Sequence, residues 1–288
     1  SDKAKLMAAL PQQYKSRVTS AEKLAVGWLE TRIHEEVALM KSMGEIAHAI
    51  IAEGFSGDTI TPGTTTTEDV VWWFREKVEA LNLNTWFHPS VSLQRSDNTS
   101  FDHESSFTDD SAQVIQPGDL LHVDFGITYL RLNTDTQQHA YILKASETAP
   151  PAFLSAALAK ANQLQDIFTG NFKAGKTGNT VLSESLKQAK GAGLMPTIYS
   201  HPLGLHGHGA GTTLGMWDKQ EGVPGDGDYP LHLNTAYSIE LNNAFNAEPW
   251  GKEIRIMLEE DAFFDSTGVW YVDGRQTEFH LIPSKHTN

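Results

Sequence analysis

The chain has 288 residues, 40% hydrophobic and 20% charged, a composition that excludes a disordered or collagen-like protein. Its length allows one large domain or two small ones. The 36 acidic and 22 basic residues give a net charge of −14, which argues against nucleic acid as a partner. Cysteine is absent, so disulfides and thiolate chemistry are excluded. No apolar run reaches the length of a membrane span, and we expect a soluble protein, either cytoplasmic or exported.

The order of helical and strand patterns predicts a mixed α+β chain. After a polar arm over residues 1–20, apolar residues at helical spacing predict two helices or one broken helix up to Phe55. Thr67 is predicted to cap the next helix, which follows a turn at Pro62. That helix is predicted over residues 68–81, and two more helices are predicted over residues 153–168 and 180–192. Strands are predicted over residues 87–93, 120–125, 134–143, 235–241, 254–264 and 278–282.

The two halves of the chain resemble each other. Gly63 and Gly175 precede the helices predicted at 68–81 and 180–192, and they are 112 residues apart. Asp124 and Glu240 each end an apolar alternation, and they are 116 residues apart. A nearly constant offset indicates a duplicated unit with pseudo-twofold symmetry.

Carboxylates inside apolar strands carry the functional signal. Asp124 ends one strand, Asp135 begins the next, Glu240 ends a third, and Glu259 lies with Glu260 inside a fourth. Carboxylates are rarely buried unless they are paired or bound to metal, because desolvation costs several kcal/mol. Taken singly, each fits an exposed strand edge or a turn. Together they indicate two divalent metals about 3.5–4 Å apart, an arrangement suited to hydrolysis.

A loop rich in histidine and glycine supplies the second signal. His201, His206 and His208 lie within eight residues, separated by glycines that allow close backbone approach to a ligand. Neutral imidazole is a good ligand for Mn, Fe, Co or Zn. A flexible surface loop is the alternative interpretation.

These motifs resemble the M24 metallopeptidases, which include methionine aminopeptidase, Xaa-Pro aminopeptidase, prolidase and creatinase. Asp124 and Asp135 have the eleven-residue spacing of that family's two aspartates. The segment 207–211 resembles its Gly-His-Gly-x-Gly motif, and Glu240 and Glu259 occupy the positions of its two glutamates. The resemblance covers about residues 30–283 and implies the internally duplicated pita-bread fold. It further implies a pita-bread domain over residues 31–288, with residues 1–30 as an arm or the remnant of a further N-terminal domain.

By this resemblance the site holds two divalent ions, with Mn favoured over Co, Zn or Fe. Glu240 would also carry protons for the bridging water. Two alternatives stay open, because His206 competes with His208 as ligand and Glu260 competes with Glu259. The implied metal ligands are Asp124, Asp135, His208, Glu240 and Glu259, and the implied catalytic residues are Glu240, His201, His206 and His103, with His88 as a weaker candidate than His103.

One position departs from the family pattern. Trp217 stands where the family has a second histidine that binds and protonates the substrate, so His201, or whichever of His206 and His208 is not a ligand, would take that role. The resemblance implies an aminopeptidase or dipeptidase whose partner is a short peptide substrate, Xaa-Pro in particular. It is also compatible with assembly of the chain as a homodimer. The alternatives are a pita-bread binding module without peptidase activity and a creatinase-like hydrolase of a C–N bond.

Overall fold

The computed structural model describes residues 1–96 and 112–284. Its principal helices are α1 (Asp2–Ala9), α2 (Gln12–Lys15), α3 (Glu22–Glu30), α4 (His34–Gly54), α5 (Thr67–Ala80), α6 (Ala152–Gly170) and α7 (Gly178–Gly191). Its strands are β1 (Ser90–Gln94), β2 (Leu120–Phe125), β3 (Thr128–Tyr129), β4 (Leu132–Asn133), β5 (Thr136–Ile142), β6 (Met195–Ile198), β7 (His201–Leu203), β8 (Thr235–Ala247), β9 (Lys252–Asp265), β10 (Gly268–Tyr271) and β11 (His280–Ile282). No helix in these two ranges is long and apolar enough to cross a membrane.

The main sheet is symmetric about its centre. Its strands run in the order β1-β2-β5-β9-β8-β6, and β5 and β9 meet antiparallel in the middle. Outward from that junction, β2 and β1 on one side correspond to β8 and β6 on the other. In sequence, α4 and α5 precede the first three strands, and α6 and α7 precede the other three. This is the pita-bread fold with its internal pseudo-twofold duplication, as the sequence predicts.

Each half packs its own pair of helices against one face of the sheet. Met43 and Ile50 of α4 and Phe74 of α5 join a core with Val123 of β2. Leu158 of α6 joins the corresponding core of the second half, with buried residues of α7, β8 and β9. Because side chains alternate along a strand, Val123 faces the helices and its neighbour Asp124 faces the other side of the sheet.

Several predicted boundaries differ from the structure by a few residues. Thr66, not Thr67, caps α5: its Oγ accepts from the backbone N of Asp69 at 3.1 Å, and Asp69 Oδ2 accepts from the backbone N of Thr66 at 2.8 Å. This reciprocal pair is a capping box, which satisfies two backbone donors at the start of the helix. The predicted break before Phe55 is real, since α3 and α4 are separate helices. Residues 1–20 form α1 and α2, which bury no side chain.

Candidate metal centre

One row of the sheet brings three of the predicted acids side by side. Asp124 pairs with Gln137, Gln137 pairs with Glu259, and Glu259 pairs with Glu240, so four neighbouring strands each contribute one residue. Residues in register across a sheet point to the same face. The acids therefore converge because of strand register, on the face opposite the helices.

Asp135 joins this row from the residue before β5. It lies two positions before Gln137 and therefore shares its face. The connection from β2 is tight: a Cβ on Gly126 would lie 2.3 Å from the carbonyl oxygen of Thr134, so glycine is required there. The backbone N of Asp135 donates to Asp261 Oδ1 at 3.0 Å. The eleven-residue spacing thus corresponds to a short β3–β4 connection between β2 and β5, which brings Asp135 back beside Asp124.

His201 is the imidazole at the centre of the carboxylates. Its Nε2 lies 3.4 Å from Asp135 Oδ2, 3.6 Å from Glu259 Oε1 and 3.8 Å from Glu240 Oε2. Its Nδ1 lies 3.1 Å from the carbonyl oxygen of Pro202, which favours the tautomer with the proton on Nδ1 and leaves Nε2 facing the acids. Candidate ligand atoms of Asp135, His201 and Glu259 all lie within 4.8 Å of one another.

Burial and mutual repulsion set the electrostatics of the cluster. Desolvation raises the pKa of Asp124, Asp135 and Glu240 well above the ordinary range, and the charge of Glu259 raises each of them further. Burial alone would lower the pKa of His201, but the neighbouring Glu259 and Glu240 outweigh it and raise the pKa. The cluster therefore needs positive charge to keep its carboxylates ionised.

The donor set fits divalent metal. Asp124 Oδ1 and His201 Nε2 are buried atoms without a hydrogen-bond partner among the described residues. Buried polar atoms are normally paired, so two unpaired atoms that line the same cavity indicate a missing partner. Carboxylate oxygens combined with one imidazole nitrogen suit Mn, Fe, Co and Zn.

The two adjacent glutamates of β9 face opposite sides of the sheet. Glu259 faces the acid cluster, whereas Glu260 Oε2 lies 2.7 Å from His48 Nε2 of α4 on the helical side. Adjacent residues of a strand point to opposite faces, so only one of the two glutamates can face the acid cluster. Of the two candidates that the sequence leaves open, Glu259 is the one at the candidate site.

The histidine-rich loop folds beside the cluster without bringing all three histidines into it. The ring of His208 stacks edge-on against that of His201, with 4.5 Å between centroids, and against Trp86 at 5.3 Å. A Cβ on Gly207 would lie 2.4 Å from the Trp86 ring, so glycine allows the loop to pass this close. Burial, followed by the charge of His201, lowers the pKa of His208. His206 is exposed on the loop.

The other candidates are less central. His103 lies outside the described residues. His88 is exposed, and its ring packs edge-on against Trp72 on α5. Trp217 lies at the mouth of the cavity described next, with 47% of its surface exposed.

A cavity of about 760 Å³ opens from the acids. The carboxylates, His201 and His208 form its polar end. Its remaining wall is mainly aromatic and apolar, and it includes Trp86, Phe87, Tyr199, Met216 and Trp217. A polar end joined to an apolar wall is typical of a site for a small organic substrate.

Three polar residues at the cluster escape the motif-based prediction. Gln137 donates to both Glu240 and Glu259, Ser238 donates to Glu259, and Asp261 accepts from the backbone of Asp135. Each lies two positions along a strand from a predicted acid: Gln137 from Asp135, Ser238 from Glu240 and Asp261 from Glu259. Because residues two positions apart on a strand face the same side, this spacing could have identified all three from the sequence.

Solved structures with this fold include several peptidases. The X-Pro aminopeptidase of Thermotoga maritima matches with a TM-score of 0.66 and 17% identity, over 91% of this chain and 66% of that one. A dipeptidase of Pyrococcus horikoshii matches with a TM-score of 0.67 and 17% identity, over 92% of this chain and 67% of that one. The methionine aminopeptidase of T. maritima matches with a TM-score of 0.60 and 16% identity, over 85% of this chain and 98% of that one. The chain thus spans about two thirds of the first two.

The fold is that of the pita-bread peptidases. The chain belongs to metallopeptidase family M24, whose family model matches residues 38–264. The comparison with curated protein sequences returns no match. Family membership confirms the resemblance drawn from the acids and the glycine-rich loop.

Proposed function

We propose that this protein is a dinuclear metal-dependent peptidase that removes or releases the residue before proline in short peptides. The observation that carries the proposal is the convergence of four carboxylates and one imidazole at the polar end of an apolar cavity. Such a cluster is costly to bury without cations, and family M24 is a family of metallopeptidases.

We assign the metal ligands as Asp124, Asp135, His201, Glu240 and Glu259. His201 replaces His208 in the set implied by the sequence resemblance, because its Nε2 lies within 4 Å of three carboxylates. His208 is adjacent to the cluster through ring stacking. Two divalent ions held by these ligands would supply a water deprotonated near neutral pH and a Lewis acid for the scissile carbonyl.

With this assignment, His208 takes the substrate-side role. Its ring lines the cavity next to the ligands, and a neutral imidazole there has one nitrogen able to donate a hydrogen bond to the substrate. Trp217 then has no proton-transfer role to replace. It contributes apolar surface at the mouth of the cavity.

Glu240 is the proposed carrier of protons. Its side chain keeps 15% of its surface exposed towards the cavity, whereas that of Glu259 keeps 1%. A carboxylate beside the cavity can take a proton from the attacking water and return it to the leaving amine. Glu240 is therefore better placed than Glu259 to exchange protons with bound substrate.

The substrate proposal rests on the cavity wall and on the named relatives. The aromatic wall suits a compact apolar ring such as that of proline. An X-Pro aminopeptidase and prolidases share the fold at low identity. Both observations favour an Xaa-Pro bond over an unrestricted peptide bond.

The test is hydrolysis of matched peptides by protein reconstituted with Mn²⁺. We expect release of the residue before proline from Xaa-Pro dipeptides or Xaa-Pro-initiated peptides, and slower release from the Xaa-Ala equivalents. Asp124→Ala should abolish turnover, whereas Asp58→Asn, an exposed acid remote from the sheet row, should not alter it.

Failure to cleave any short peptide, in protein shown to hold two Mn²⁺, would refute the peptidase proposal. Protein that binds no metal and instead retains a peptide without cleaving it would support the binding-module alternative. Equal rates on Xaa-Pro and Xaa-Ala peptides would refute the substrate preference alone.

A further inference from the structure

Gln137 occupies an unusual place in the candidate metal centre. It stands in the sheet row between Asp124 and Glu259 and keeps only 1% of its surface exposed. It is the one neutral side chain in a row of four whose other members are acids. Its carboxamide therefore lies among three carboxylates of the same row.

The carboxamide makes three contacts that define its orientation. Its Nε2 donates to Glu240 Oε1 at 2.6 Å and to Glu259 Oε2 at 2.7 Å. Its Oε1 lies 2.9 Å from His122 Nε2. Only this orientation is favourable, because an ionised carboxylate accepts and cannot donate, whereas an imidazole nitrogen can donate. Both amide hydrogens are used, one on each glutamate, in short bonds typical of a charged acceptor.

The oxygens that Gln137 holds are not the ones that face His201. Glu240 presents Oε2 and Glu259 presents Oε1 to His201 Nε2, at 3.8 and 3.6 Å. Gln137 binds the opposite oxygen of each. The amide of Gln137 thus sets the rotation of the Glu240 carboxylate about its terminal bond. It shares that role at Glu259 with Ser238, which donates to Oε1, so that one oxygen of each glutamate stays directed towards His201.

We propose that Gln137 is a positioning residue of the metal centre, which orients Glu240 and Glu259 for ion binding without adding charge. The proposal rests on the metal-centre assignment made above. Gln137 does not act as a ligand itself, because its carbonyl oxygen is directed at His122. Partners of metal ligands typically contribute about 10–100-fold to metal affinity.

The chain offers a matched control in the next residue. Gln138 has 5% of its surface exposed, donates to Glu260 Oε1 at 3.1 Å and lies 2.8 Å from His280 Nε2 through its Oε1. It therefore makes the same kind of glutamate-to-histidine bridge on the helical face of the sheet. Gln137 holds Glu240 and Glu259 at the acid cluster, whereas Gln138 holds Glu260 away from it.

The experiment compares Gln137→Met and Gln138→Met with wild type. Methionine keeps the length and volume of the side chain and removes its hydrogen bonds. Mn²⁺ affinity is measured on metal-free protein by competition with a fluorescent chelator, and the melting temperature of metal-free protein is measured in parallel. We expect the dissociation constant to rise about 10–100-fold in Gln137→Met and less than twofold in Gln138→Met, although either substitution can lower the melting temperature.

An unchanged Mn²⁺ affinity in Gln137→Met, or an equal loss in Gln138→Met, would overturn the positioning role while leaving the metal centre intact. Wild-type protein that binds no Mn²⁺ would overturn the metal centre and this proposal with it. If Gln137→Met does not fold, Gln137→Asn serves in its place, because its amide is one methylene too short to bridge both glutamates and should cause the same loss.

Discussion

Exchange of His201 and His208 for alanine, one at a time, separates the two roles that the geometry assigns to them. His201 Nε2 lies 3.4 Å from Asp135 Oδ2 and 3.6 Å from Glu259 Oε1, so alanine there removes the imidazole nitrogen that faces the carboxylates. Since loss of a residue that only supports a ligand already costs about 10–100-fold in affinity, His201→Ala should lose at least 100-fold.

His208→Ala should act on turnover instead. All five assigned ligands stay in place, so bound metal should stay within about twofold of wild type. Loss of a positioned proton or hydrogen-bond donor costs about 10²–10⁴-fold in rate, and kcat should fall by that factor.

The assay measures bound Mn²⁺ after gel filtration and peptide turnover at saturating Mn²⁺ for both variants. Full metal content in His201→Ala together with metal loss in His208→Ala would refute the assignment and restore the ligand set implied by the sequence resemblance. Equal metal loss in both variants would refute the division of roles.

Three further predictions concern the acids and one helix cap. Asp135→Asn should lower metal content and turnover but keep or raise the melting temperature of metal-free protein, because it removes one of several repelling buried carboxylates; calorimetry with and without chelator checks this. Thr66→Ala breaks the capping box with Asp69 and should cost about 1 kcal/mol of unfolding free energy, or about 2–4 °C, against no change for the exposed Thr64→Ala. Burial raises the pKa of Glu30 from 4.5 to about 7, so the folded state binds its proton more tightly and stability falls as pH rises through that interval. Glu30→Gln should therefore stabilise the protein by about 1–3 kcal/mol at pH 8 and have little effect at pH 4, and a melting curve that gains equally at both values would contradict this.

Strand prediction worked where apolar alternation and turns agree. The strand at 120–125 matches β2 at both ends, because a turn at Gly118 precedes it and Gly126 ends it. The strand predicted to end at Leu241 continues to Ala247. The polar pair Asn242 and Asn243 interrupts the apolar pattern, but pairing with β9 on one side and β6 on the other keeps both buried in the sheet.

The acids could be located from sequence because each is anchored to a strand, and strand register then aligns them. The histidines could not be assigned in the same way. His201 begins β7 and pairs with Ser238 of β8, whereas His208 lies on the loop that follows. His201 reaches the acids because that pairing puts it on the same face as Glu240, and β7 is only three residues long, too short for alternation to predict it. Gln137 was not predicted, because it is a neutral residue and belongs to no recognised motif. Its position between Asp124 and Glu259 is visible only once the strands are paired.

The count of metal ions bound by the wild-type protein tests the central claim most directly. Protein freed of metal with a chelator and then titrated with Mn²⁺ in a calorimeter should bind two equivalents per chain, and Asp124→Ala should lose at least one. Two equivalents would agree with a dinuclear centre built from four carboxylates and His201. No binding by correctly folded wild-type protein, or full binding by Asp124→Ala, would contradict it.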